Sequence, residues 1–77
     1  MKIKCSTTTK DVRPGDAYLV WSAPTGAKIC FLDSRGDDVY VIENAVGEGR
    51  TPIANDVAHV SMTSSGDAKM RLESTWP

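Results

Sequence analysis

Between Val12 and Ala45 the chain is interrupted at short intervals by residues that stop a strand. Arg13-Pro14-Gly15-Asp16 precedes the apolar run Ala17-Tyr18-Leu19-Val20-Trp21. Pro24-Thr25-Gly26 precedes Lys28-Ile29-Cys30-Phe31-Leu32, and Arg35-Gly36-Asp37 precedes Asp38-Val39-Tyr40-Val41-Ile42-Glu43. Pro fixes φ and Gly accepts the positive φ that a tight turn demands, whereas β-branched and aromatic residues fill a pleated strand. The pattern therefore predicts consecutive antiparallel strands joined by tight turns. No stretch of ten or more residues keeps a 3.6-residue apolar period, so helix is limited to one short turn at most, expected near Pro52 to Asp56.

The flanking segments extend this plan. Met1 to Cys5 alternates, with Met1, Ile3 and Cys5 opposite Lys2 and Lys4, as a half-buried first strand does. Ser6 to Asp11 reads as a polar loop that could prolong it, because its three consecutive Thr tolerate β geometry. Val46 to Asp56, with Gly47, Gly49 and Pro52, reads as the longest irregular stretch. Val57 to Met62 and Lys69 to Glu73 complete six expected strands. Strands two to four carry apolar groups on both faces, which calls for a tightly curved sheet or one covered by a second copy. The expectation is a single all-β domain over 1–77: a small, strongly bent antiparallel barrel or roll of SH3-like type, with an OB-like barrel as the alternative.

At 77 residues a core is small. Ordering costs about 1.5 kcal/mol per residue against roughly 25 cal/mol per Å² of apolar surface buried, so such domains come out near zero net and gain from a staple or a partner subunit. A homodimer is accordingly expected. The formal net charge of −1 gives no general attraction to nucleic acid or an acidic membrane, so any electrostatic partner must be met by a local patch. No apolar run reaches the length of a membrane span, and Met1-Lys2-Ile3-Lys4 leads into Ser and Thr instead of an apolar signal core. A cytoplasmic protein without membrane contact is expected. Cys5 and Cys30 fit no spacing motif and read as small buried hydrophobes.

Reactive groups are few. His59 is the single histidine, and with Ser61 it fits the polar side of a half-buried strand better than a hydrolase pair. Cys5, Cys30 and His59 lack the close spacing of zinc ligands. Gly47-Glu48-Gly49-Arg50-Thr51-Pro52 lacks the Gly-Lys of a phosphate-binding loop, and Arg35-Gly36-Asp37 reads as a hairpin turn. No enzyme activity, cofactor or metal is expected.

Binding is the remaining class. Tyr18, Trp21, Tyr40, the loop residue Arg50 and the penultimate Trp76 are of the types that concentrate affinity at interfaces, and they are the candidate protein-binding residues. The leading expectation is a non-enzymatic protein-binding module, an accessory or inhibitory factor of the kind a phage or mobile element encodes. The alternative is a nucleic-acid-binding SH3-like module using Lys2, Lys4, Lys69 and Arg71, which form one cationic patch if the terminal strands pair. A structural subunit of a larger assembly is the third reading.

Overall fold

The computed structural model describes residues 6–64 and 66–74. Its five strands are β1 (Ser6–Asp11), β2 (Asp16–Leu32), β3 (Asp38–Pro52), β4 (His59–Ser64) and β5 (Lys69–Ser74), with no helix among the described residues. β2 is the spine. One of its edges pairs with β3 from Tyr18 to Leu32; the other is shared, by β5 over Asp16 to Ser22 and by β4 over Ala27 to Leu32. β1 adds to the far edge of β4, and every pairing is antiparallel.

The all-β antiparallel expectation holds; among the described residues the five-stranded sheet is not closed, and the finer expectation of a barrel or roll is not carried by the pairing. The expected count of six strands is also corrected to five among the described residues. Strands two and three are one strand, because Pro24-Thr25-Gly26 does not reverse the chain. Ala23 pairs with Gly47 and Ala27 with Ala45, so four steps along β2 are matched by two along β3. The excess is absorbed as a bulge with Gly26 at φ 97°, a conformation costly for any residue bearing a Cβ. Strand four likewise runs on to Pro52 through the segment expected to be irregular. Strand one, expected over 1–5, lies outside the described residues, and Ser6–Asp11, read as a polar loop that could prolong it, forms β1. At Pro52 to Asp56 the expected helical turn is a simple turn, closed by Val57 N–H donating to the Ala54 carbonyl at 3.1 Å.

Period-two alternation builds the core. In β2, Leu19, Ala23, Ala27, Ile29 and Phe31 are buried, and the even spacing from Ala23 to Ala27 keeps one face inward across the bulge. In β4, Val60, Met62 and Ser64 are buried while His59, Ser61 and Thr63 face outward. Ala45 and Val57 join the same cluster, which unites residues from both halves of β2. Phe31, Leu19, Ile29 and Val60 are the largest fully buried side chains, each contributing about 1.5–3 kcal/mol of transfer free energy.

Trp21 explains one glycine of β3. It stands directly opposite Gly49, and a Cβ added there would collide with the indole ring. The indole N–H donates to Thr51 Oγ1 at 3.2 Å. Gly49 is small because an aromatic ring lies over it, and a strand with such residues resembles a loop in sequence.

Candidate functional site

The N-terminal half of β2, the end of β3 and β5 form a three-stranded platform. On its outer face the register places Tyr18 beside Pro52 and Glu73, Val20 beside Arg50 and Arg71, and Ser22 beside Glu48 and Lys69. The Arg50 guanidinium lies over the Tyr18 ring, 4.4 Å from its centroid, within range of cation–π attraction. Arg50 Nη2 is also 3.5 Å from Glu73 Oε1. Arg71 reaches the other oxygen of the same carboxylate, with Nη2 at 2.8 Å and Nε donating at 3.0 Å. Glu73 thus holds two arginines, and through one of them a tyrosine. Beside this cluster a depression of about 380 Å³ is lined by Val20, Trp21, Ser22, Glu48, Lys69, Met70 and Arg71.

Of the expected protein-binding residues, Tyr18 and Arg50 come together on this face. Arg50 projects from a paired strand instead of the expected loop. Trp21 belongs to the opposite face, half-buried against the core, with its indole N–H engaged by Thr51. Tyr40 is remote from the cluster, paired with Phe31 on the other half of the sheet; it is 55% exposed, with the ring centroids 5.6 Å apart. Trp76 lies outside the described residues.

Of the alternative cationic set, Lys69 and Arg71 share the outer face of β5, and Lys2 and Lys4 lie outside the described residues. The pairing attached to that patch, between the strand expected over 1–5 and that over 69–73, lies outside the described residues; among the described strands β1 pairs with β4 and β5 with β2. Glu48 and Glu73 interleave with the cations, which makes the face mixed in sign instead of uniformly positive.

The outer face of the other half holds a contact that sequence reasoning missed. His59 Nδ1 and Asp11 Oδ1 are 2.8 Å apart across the β1–β4 pair, with the two side chains 38% and 80% exposed. Forty-eight positions separate them in sequence, and only the register brings them opposite. Ser61 stands between Thr9 and Cys30 in the adjacent row, and Cys30 is a free thiol, half-buried. Among the described residues no group of three metal-ligating side chains converges, and no helix is long and apolar enough to cross a membrane. Arg35-Gly36-Asp37 sits in the β2–β3 hairpin, where the Asp33 carboxylate accepts from the N–H groups of Arg35 and Asp37.

Comparison with known proteins returned no matching family model, no matching curated protein and no matching solved structure.

Proposed function

We propose that this protein is a non-enzymatic binding module that docks another protein on the outer face of the three-stranded platform, with the open sheet as its rigid scaffold. The observation that carries the reading is the Tyr18–Arg50–Glu73–Arg71 chain. Tyr and Arg concentrate binding energy at interfaces, and side chains already braced lose less rotamer freedom on docking. The hydrophobic centre is Val20, with charges of both signs around it, which suits a partner whose own surface alternates in charge. An accessory or inhibitory role, acting by occupying a partner's surface, follows from this reading. Tyr40, exposed at the edge of the other half, extends the proposed contact for a partner large enough to reach both.

Nucleic acid is the second reading, favoured by Lys69 and Arg71 on one strand face. It ranks lower because Glu73 already neutralises part of that charge.

Affinity capture from the native host, followed by measurement of the purified partner's Kd, tests the proposal. Tyr18→Ala and Arg50→Glu each weaken the complex at least about tenfold, as truncating an interface anchor does. Equal binding by parent and both variants would refute the docking face. Steeply salt-dependent retardation of DNA or RNA, in place of protein capture, would transfer the function to the second reading.

A further inference from the structure

β1 and β5 do not pair with each other, yet they wall the same groove. One depression, about 440 Å³, is lined by Lys10, Asp11 and Arg13 from the β1 side and by Arg71 and Leu72 from β5, with Asp16 at its end. A second, about 330 Å³, is lined by Thr8 and Lys10 opposite Ala68, Lys69 and Met70, with Met62 also lining it. Lys10 lines both, so the two depressions adjoin along β1 and β5. Along these depressions the numbering of β1 and β5 rises in the same direction, and one strand laid between them would run antiparallel to both.

Among the described residues β1 pairs with β4 alone and β5, over Lys69 to Glu73, with β2 alone. An unpaired edge carries a row of backbone donors and acceptors, and natural proteins blunt such edges with Pro, bulges or cover. β1 has no Pro, and its register with β4 is unbroken from Ser6 to Asp11. β5 has no Pro either. The edge of β3 is different: three register shifts interrupt its pairing with β2, and Asp38, Glu43 and Glu48 place acids along it.

We infer that the groove between β1 and β5 accepts an acidic, extended segment of a partner protein, which joins the sheet as an added strand. This rests on the protein-binding reading and names the kind of partner segment. Charge argues for it: Lys10, Arg13, Lys69 and Arg71 line the groove against Asp11 and Asp16, in a chain whose net charge is −1. Among the described residues Lys10, Arg13 and Lys69 form no side-chain ion pair, and the Asp16 carboxylate accepts from the Arg13 backbone N–H. The half-buried apolar side chains Ala68, Met70 and Leu72 suit alternate residues of an added strand, whose period is two. Among the described residues neither depression has an aromatic residue in its lining, which favours peptide over single-stranded nucleic acid.

The test uses the full chain, 15N-labelled, and a blocked peptide of about eight residues alternating Val and Glu, titrated to about 1 mM. Expected are shifts confined to β1, β5 and the Arg13–Asp16 turn, weaker binding as salt rises, and at least about tenfold loss in a Lys10→Glu, Arg13→Glu double variant that keeps the parent's spectral dispersion. The same peptide N-methylated at alternate residues, which cannot pair along one edge, does not bind. Failure of the acidic peptide to bind overturns the inference. So does equal binding of its Lys counterpart, stronger binding of oligo-dT, or a groove covered by a second copy in sedimentation. These variants leave Tyr18 and Arg50 unchanged, so loss of the groove with retention of the captured partner would overturn this inference alone.

Discussion

Gly49→Ala is the most exacting test of the packing, because two opposed effects have to be weighed. In the unfolded chain the substitution removes backbone freedom, which stabilises a compatible strand site by about 0.5–1 kcal/mol. In the folded chain the new Cβ falls among Cε2, Cζ2 and Cη2 of Trp21. The ring has to move, an overpacking cost of about 1–3 kcal/mol. Moving it also strains or breaks the 3.2 Å bond from the indole N–H to Thr51, a further ~0.5–1.5 kcal/mol. The clash wins, and the expected net loss is about 2 kcal/mol, or roughly 8–16 °C in Tm for a domain of this size. Urea and thermal unfolding followed by circular dichroism measure it; fluorescence would mix Trp21 with Trp76. A Trp21→Leu background isolates the cause, since leucine does not extend to the atoms that collide, and there Gly49→Ala is neutral or stabilising. Equal losses in the two backgrounds, or a single variant as stable as the parent, would refute this account of why β3 carries glycine.

Phe31→Ala removes the largest fully buried side chain, and its cost of about 3–5 kcal/mol is comparable to the whole stability of so small a domain; collapse of amide dispersion in the NMR spectrum is expected, and a native-like spectrum would show the core placed wrongly. The Asp11–His59 contact is exposed, so a double-mutant cycle with Asp11→Asn and His59→Gln yields a coupling of at most about 1 kcal/mol; a value well above that would mean the pair is shielded from water.

The sequence was sufficient for whatever depends on neighbours along the chain. The turns at Arg13–Asp16 and Arg35–Asp37, the β class and the alternation around His59 all follow from local stereochemistry and a period of two, whereas apolar residues on both faces of β2 left its inward set, Leu19, Ile29 and Phe31, to the fold. Tyr18 and Arg50 were legible as residue types suited to binding, but not as a contacting pair. Other features were misread because the deciding atoms are distant in sequence. Pro24-Thr25-Gly26 has the composition of a reversing turn, and it became a bulge because both flanks of β2 pair with the one strand β3. Gly47 to Pro52 has the composition of a loop, and it is a strand because Trp21 occupies the space that side chains at 49 would need.

The pairing order lay furthest from view. Nothing in a strand's own residues says which edge it will join, since backbone hydrogen bonds are alike for every sequence; the choice falls to whichever arrangement buries the apolar faces together. That arrangement gave β2 three neighbours and set β1 and β5 on either side of a groove, gathering Lys10 and Arg13 with Lys69 and Arg71. Chain order had therefore determined the kind of structure and its turns, whereas the inward face of β2, the charged seam and the braced tyrosine exist only because the tertiary fold brings distant strands side by side.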